Sequence, residues 1–308
     1  VADFFTFSDL GNWAQTGAGL QPAARLAVIG DPIAHSKSPQ MHNPALQACG
    51  IRAQYVRVQV PVGSVGKAFR LFAANNFIGV NITIPHKFEA LAGVEVVNEL
   101  AATLGAVNTL AIRDGKLHGH NTDGPGFLRS VREVFDADVR DLRVMILGAG
   151  GGAGRAVAVQ CALSGCQKII LANRTPEKAL RVMHEIRQIS RTSQTTLVGA
   201  AKMDHEHVTQ QLHECDLIVN ATSLGMRPDD APLLPAGALE SRHLVFDMVY
   251  KPAGQLTALG QAARDAGARY VDGATLLLHQ GAISFEHWFD RPAPLAEMRA
   301  GLARALAS

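Results

Sequence analysis

The chain has 308 residues, 47% of them hydrophobic and 18% charged. At roughly 150 residues per domain this predicts about two domains with substantial apolar cores, and it excludes a disordered chain. Lys and Arg total 29 against 27 Asp and Glu, a formal charge of +2, and aromatics are only 6%; this balance gives no support to nucleic-acid binding.

Residues 1–24 carry Asp3 and Asp9 and no basic run ahead of an apolar one. They read as an extension before the first strand, with no role assigned, and not as a signal peptide. The first strand is expected at RLAVIGDP, 25–32. Helix follows near SPQMHNPALQACG, strand at AQYVRVQV, helix at SVGKAFRLFAANN and strand at GVNITIP. Helix is then expected through FEALAG and VVNELAATLG. NTLAIRDGKLHGHNTD reads as a hairpin turning at Asp114–Gly115.

A second alternating series starts at residue 142. RVMILG is a continuous apolar run, as expected of a buried parallel strand. Helix is expected at GRAVAVQCALSG, strand at KIILAN, and a helix from Pro176 capped by Thr175. Strands TTLVGA, DLIVNA and LVFDMV follow, then helix AGQLTALGQAARDAG, strand RYVDG and the helical stretch ATLLLHQGAISFEHWF. Strands alternating with helices predict an α/β protein of two domains. The boundary is expected at DGPG, 123–126.

No apolar stretch approaches the roughly 20 residues of a membrane span. The four cysteines, Cys49, Cys161, Cys166 and Cys215, include no CxxC pair, which points to reduced thiols in a cytoplasmic protein. No histidine spacing, including His118/His120 and His205/His207/His213, matches a strong zinc signature, so no metal is expected.

The strongest local motif runs from Gly148 through Ala149, Gly150, Gly151 and Gly152 to Ala153 and Gly154. It fits G-x-G-x-x-A between a strand and a helix, the context of a dinucleotide site. There the glycines allow a tight turn and close approach to a pyrophosphate, and the helix N-terminus favours the anion. A glycine loop without a ligand is the plainer alternative. The end of the next strand selects the dinucleotide. An NAD site usually carries an acidic residue there. This chain has Asn173, Arg174 and Thr175, with Lys178 one turn on. Two cations and no carboxylate suit a 2′-phosphate, so NADP is expected.

Ser36 and Ser38, Thr83 and Lys87, Asn108, and Asp123 punctuate the ends of apolar strands. Singly, each has an ordinary explanation as a cap, a turn residue or a solvated charge. Together with their surroundings they form a pattern. IGDPIAHSKSPQMHN, GVNITIPHK, GAVNTL, HNTDGPGF, LGAGGGAGRAV, NRTPEKA, NATSLGM, FDMVYKP and LLLHQGAISFEHW occur in this order. The chain therefore resembles the shikimate dehydrogenase family from about residue 25 onward.

The resemblance implies an N-terminal α/β substrate domain and a Rossmann-type doubly wound NADP domain, with the C-terminal helix returning to the first. The corresponding spans are 25–123 with 274–308, and 124–273. It implies NADPH-dependent reduction of 3-dehydroshikimate to shikimate, in aromatic amino-acid biosynthesis. Lys87 matches the catalytic lysine and Asp123 its aspartate. Ser36, Ser38, Thr83, Asn108, Tyr250 and Gln280 match substrate-binding positions, as do Lys87 and Asp123. Gly148, Ala149, Gly150, Gly151 and Gly152 match the diphosphate loop. Asn173, Arg174, Thr175 and Lys178 match the adenosine-phosphate segment, and Met248 and Gly273 match positions near the nicotinamide. The chain departs from the common pattern at Gly273–Leu277, at Gly281, at Gln255 and at His86.

The side-chain inventory suits a polyol acid. Serine and tyrosine hydroxyls can hold a carboxylate without cations, and Thr83, Asn108, Asp123 and Gln280 supply partners for ring hydroxyls. Lys87 either exchanges a proton with the reacting hydroxyl or clamps the forming alkoxide; the residues leave both open. A quinate or quinate/shikimate enzyme with relaxed NAD use is the neighbouring alternative. A catalytically silent Rossmann protein is the alternative of another class. No partner beyond the small-molecule substrate is expected, and no membrane; a homodimer is one allowed arrangement.

Overall fold

In the computed structural model, which describes residues 4–189 and 197–307, the chain opens on structure. β1 (Phe4–Thr6) is followed by α1 (Phe7–Gly11) and α2 (Trp13–Thr16). Thr6 and Asp9 close a capping box, with Asp9 N donating to Thr6 Oγ1 at 3.3 Å and Thr6 N to Asp9 Oδ2 at 2.7 Å. β1 pairs in parallel with a later strand, Phe4 opposite Arg57, and Phe5 and Leu10 join the hydrophobic core. Residues 4–6 are thus a strand of the sheet, followed by two short helices, correcting the expectation of an extension ahead of it. Residues 1–3 of that stretch lie outside the described residues.

The alternation then follows the sequence closely: β2 (Ala24–Gly30), α3 (Ser38–Ala48), β3 (Gln54–Gln59), α4 (Val65–Ala74), β4 (Gly79–Ile82) and α5 (Lys87–Ala92). Next come β5 (Val96–Val97), α6 (Glu99–Leu104), β6 (Thr109–Arg113) and β7 (Lys116–His120). Val96 and Val97, expected within a helix, instead pair with β7, and Asn98 starts α6 by accepting from Ala101 N at 2.8 Å. Asp114 and Gly115 have φ of 51° and 74°, the positive pair that a type I′ hairpin turn needs. The sheet runs β1-β3-β2-β4-β6-β7-β5, with antiparallel pairing on both sides of β6.

The second half contains α7 (Asp123–Phe135), β8 (Arg143–Leu147), α8 (Gly152–Leu163), β9 (Lys168–Asn173), α9 (Pro176–Ile189) and β10 (Leu197–Lys202). It continues with α10 (His205–Leu212), β11 (Leu217–Asn220), β12 (Leu244–Asp247), α11 (Ala258–Asp265) and β13 (Arg269–Val271). Thr195 and Thr196 of the expected strand TTLVGA lie outside the described residues. The sheet order is β10-β9-β8-β11-β12-β13, parallel throughout. Numbered within this half it is 3-2-1-4-5-6, the dinucleotide-binding order. Two helices complete the chain, α12 (Gly273–Phe289) and α13 (Leu295–Ala307). Among the described residues no helix is long and apolar enough to cross a membrane.

The chain divides into two compact units, Val1–Thr122 with Gln280–Ser308, and Asp123–His279. DGPG is therefore the first turn of α7 and not a linker. Pro125 fits there because first-turn N–H groups lack helical partners. Asp123 falls in the second unit. The other division lies inside α12, between His279 and Gln280, where sequence reading put it at 273/274. A continuous helix carries no composition shift to mark that place. The end of the chain packs in the first unit: Trp288 Nε1 donates to Leu110 O at 2.9 Å, and α13 lies on α3.

Candidate active site

The first unit gathers six of the predicted substrate residues: Ser36, Ser38, Thr83, Lys87, Asn108 and Gln280. β2 and β4 are neighbours and both end here. Gly30, at the end of β2, lets the two strand ends approach; a Cβ on it would meet Thr83 Cγ2 at 2.8 Å. The loop after β2 is held from below by Arg57, which is 6% exposed. Its Nε donates to Ser36 O at 2.7 Å, and its guanidinium also donates to Gln40 Oε1 at 2.8 Å. This presents Ser36 and Ser38 side by side, with their hydroxyl oxygens 3.2 Å apart.

Lys87 opens α5 at partial exposure. His86 before it is buried, and its Nε2 donates to Val60 O at 2.7 Å. Glu89 accepts from Gly63 N and Val65 N at 3.0 Å each, so the start of α4 and the start of α5 are tied together. Val107 N donates to Lys87 O at 2.9 Å, placing Asn108 just beyond. Asn108 is buried. Its Oδ1 accepts from Thr122 N at 2.8 Å, and its Nδ2 donates to Thr122 Oγ1 at 3.0 Å and to Gln280 Oε1 at 3.5 Å. Gln280, 172 residues away in sequence, thus joins Asn108.

The second unit holds Asp123, Tyr250 and all the predicted cofactor residues. Gly148 follows β8 with φ of 88°, a conformation that favours glycine. Its α-carbon lies against the end of β11, where a Cβ would meet Thr222 Cγ2 at 2.7 Å and Ala221 backbone at 2.9 Å. β8 and β11 are where the strand order reverses, the usual ligand position in such sheets. A Cβ on Gly154 would meet Gly148 O at 2.5 Å, so the loop closes tightly on its own helix. Gly151 caps α8 with no side-chain hydrogen bond, leaving the backbone donors of the first turn for an anion.

Asn173 ends β9 and couples the loop to the next segment. Its Oδ1 accepts from Gly150 N at 3.2 Å, and its Nδ2 donates to Thr175 O at 2.9 Å. A Cβ on Gly150 would lie 2.5 Å from Lys178 Cβ, so the lysine stem passes over the loop. Arg174, Thr175 and Lys178 are all exposed. The residues present therefore fit an NADP molecule: a diphosphate cradle, and two cations beside it.

The loops after β11 and β12 are set by a group that sequence reading left unassigned. Asp247 is fully buried and accepts from Val249 N at 3.0 Å, Thr257 Oγ1 at 2.6 Å and Asn220 Nδ2 at 2.8 Å. Burial nevertheless holds its carboxyl above the usual range. The signal was a charged residue inside the apolar run LVFDMV. These bonds position Met248 and, two residues on, Tyr250, whose phenol is likewise pushed up by burial and secondarily by Asp272. Gly273 packs against Met248: a Cβ there would fall 2.1 Å from Met248 O. Gly273→Ala should accordingly destabilise by about 1–3 kcal/mol or more, since the obstacle is backbone. Thermal unfolding checks this, together with a weakened NADP titration; an unchanged melting temperature would show that the contact is not tight.

A Rossmann unit with this loop, preceded by an α/β unit rich in hydroxyl and amide groups, defines a dinucleotide-dependent oxidoreductase. The models for the shikimate dehydrogenase substrate binding domain, shikimate / quinate 5-dehydrogenase and the shikimate 5′-dehydrogenase C-terminal domain match residues 28–110, 129–226 and 273–301. The NADP(+) shikimate dehydrogenase of Methanopyrus kandleri is 38% identical over 276 residues, covering 89% of this chain and 93% of that enzyme. That of Moorella thermoacetica is 39% identical over 284 residues, covering 91% and 93%. Among solved structures, shikimate 5-dehydrogenase from Thermus thermophilus, in complex with NADP(H) and shikimate, superposes with a TM-score of 0.79 at 32% identity, covering 92% of this chain and 99% of that one. The chain belongs to the shikimate dehydrogenase family.

Proposed function

We propose that this chain catalyses the reversible NADPH-dependent reduction of 3-dehydroshikimate to shikimate. The similarity across nearly the whole of NADP(+) shikimate dehydrogenases, with Lys87 and Asp123 both present, carries the reading. When bound, NADPH supplies the hydride. The loop from Gly148 to Gly152 would hold its diphosphate, with the free backbone N–H groups of the first turn of α8 as donors; Asn173, Arg174, Thr175 and Lys178 would hold the adenosine phosphate. Met248 and Gly273 border the nicotinamide.

Reduction of the ketone builds negative charge on its oxygen. Lys87 Nζ is the ammonium that stabilises this charge and donates the proton, and Asp123 is assigned as the carboxylate that orients it. Thr83, Asn108 and Gln280 hold ring hydroxyls. Ser36 and Ser38, with Tyr250, hold the carboxylate. Small molecules are the only partners in this reading. A cytoplasmic location belongs to it too, supported by the free thiols of Cys49, Cys161, Cys166 and Cys215.

Steady-state assays with shikimate and quinate, each with NADP and NAD, test the function. Efficient turnover is expected only for shikimate with NADP. Quinate used as well as shikimate would favour a quinate/shikimate enzyme, and no turnover with any pair would favour a silent binding protein. Replacing both Ser36 and Ser38 by Ala should raise KM for shikimate by at least tenfold, because hydrogen bonds to a charged group contribute about 1.5–3 kcal/mol each. An unchanged KM in the double variant would remove both serines from the substrate site.

A further inference from the structure

The strand order of the second unit lays the cofactor out end to end. The residues assigned to the adenosine phosphate follow β9 and the diphosphate loop follows β8; the next strands in the sheet are β11 and β12. Neighbouring strands lie about 4.8 Å apart, so a dinucleotide running on past β8 would bring its nicotinamide over the ends of β11 and β12. Met248 follows directly on β12, and Gly273 packs against its carbonyl. Each of these two residues is preceded by an aspartate, Asp247 and Asp272.

Asp247 is fully buried. Asn220, its register partner on β11, donates Nδ2 to its Oδ1 at 2.8 Å. Val249 N donates to the same oxygen at 3.0 Å, and Thr257 Oγ1 donates to Oδ2 at 2.6 Å. The Asn220 amide has one orientation: its Oδ1 accepts from Thr222 N at 2.9 Å, and its Nδ2 also donates to Leu224 O at 3.1 Å. A backbone N–H only donates and a carbonyl only accepts, so Asp247 meets an N–H here. Asp272 is half-buried and accepts from Ala274 N at 3.1 Å at the start of α12, where the helix dipole favours an anion. Burial raises both pKa values, and these donors oppose it by favouring the charged form. Among the described residues neither carboxylate has a cationic partner. Two negative charges thus stand at this end of the sheet without local cancellation.

We propose that Asp247 and Asp272 set the oxidation-state preference of the cofactor site, favouring the cationic ring of NADP+ over the neutral ring of NADPH. Resting on the nicotinamide position proposed for Met248 and Gly273, the effect is one of electric field and needs no contact with the ring. Loss of a hydride turns the neutral dihydronicotinamide into a pyridinium cation and leaves the rest of the cofactor unchanged. A fixed negative charge beside the ring therefore acts on one state only. It tightens binding of NADP+. It also eases departure of the hydride toward the ketone, because the ring gains its positive charge in that step. Contacts to the diphosphate and the 2′-phosphate are common to both states and cannot discriminate between them.

Asp247→Asn removes the charge and keeps the shape: its oxygen can accept from Val249 N and Asn220 Nδ2, and its amide can donate to Thr257 Oγ1. Calorimetric titration of the free enzyme with NADP+, NADPH and 2′-phospho-ADP-ribose, which has no nicotinamide, reads the effect without turnover. The ratio of the dissociation constants, NADP+ over NADPH, should rise roughly five- to thirtyfold. That is the Coulomb effect of unit charges about 8–10 Å apart at an effective dielectric constant of about 20, halved at the low end for solvent screening. Binding of NADPH and of 2′-phospho-ADP-ribose should stay close to the parent. Asp272→Asn should raise the ratio in the same direction by roughly two- to fivefold, since the more exposed charge is better screened. An unchanged ratio in Asp247→Asn overturns the inference and leaves the cofactor assignment standing. An equal loss for all three ligands means a structural role and also overturns it. A parent that binds none of the three overturns the cofactor reading and the inference together. Should Asp247→Asn fail to fold, Asp272→Asn decides: an unchanged ratio there overturns the inference.

Discussion

Lys87→Ala is expected to lower kcat for shikimate oxidation by about 10²–10⁴-fold, the range that general acid–base groups contribute. NADP binding and the melting temperature should stay as they are. Lys87 is the first residue of α5, where alanine is compatible with the helix, and only part of its side chain is buried. Its backbone carbonyl, which accepts from Val107 N at 2.9 Å, survives the substitution. A near-normal kcat at saturating shikimate would show that Lys87 does not handle the proton. Lys87→Arg separates the two roles that its chemistry allows. Guanidinium keeps the positive charge but does not give up a proton. A rate close to that of Lys87→Ala marks proton transfer as the main contribution, and a rate close to the parent marks the charge.

Cofactor preference is the second large effect. The 2′-phosphate is expected between Arg174 and Lys178, beside a loop that Asn173 braces through Gly150 N. NAD has no phosphate there, so it forfeits both charge-assisted contacts. Each is worth about 1.5–3 kcal/mol when well formed, and about 1.4 kcal/mol is tenfold. Both side chains are exposed, which places the combined preference at roughly 10²–10³-fold in kcat/KM rather than higher. Arg174→Ala should erase much of it by weakening use of NADP while barely changing use of NAD. Rising salt should narrow the preference in the unmodified enzyme, because exposed charges are screened. Equal kcat/KM for the two cofactors would sink the assignment and favour the relaxed quinate/shikimate alternative.

Much of this site was readable because its residues act within short segments. The glycine loop from 148 to 154 has a signature in consecutive positions, since a positive φ, an open helix start and close packing each demand a small residue at one particular place. Arg174 and Lys178 are legible for the same reason: they follow a strand end by fixed spacing. Short elements were not legible. β1 has three residues and β5 two, too few to show a period of two. Val96 and Val97 adjoin the apolar residues of α6 and so read as helix, until pairing with β7 draws them into the sheet. α10 has only Val208 and Leu212 buried, too few to show a helical period in sequence; Asp204, accepting from His207 N at 3.0 Å, caps it.

By itself, then, the sequence determined where apolar strands stop, where an anion-binding turn begins, and which hydroxyls, amides and charges stand at those ends. These properties depend on neighbours along the chain, and a local pattern records them. Only the tertiary structure decided that residues 4–6 complete a sheet, that α12 is divided at Gln280, and that Tyr55, Asn81 and Ser284 form one line of hydrogen bonds. Asn81 and Ser284 are 203 residues apart, and each is a single polar side chain in an otherwise apolar stretch. Nothing adjacent in sequence announces its partner. A buried hydrogen-bonding group must find one wherever the fold brings it, and that place is set by the packing of whole elements.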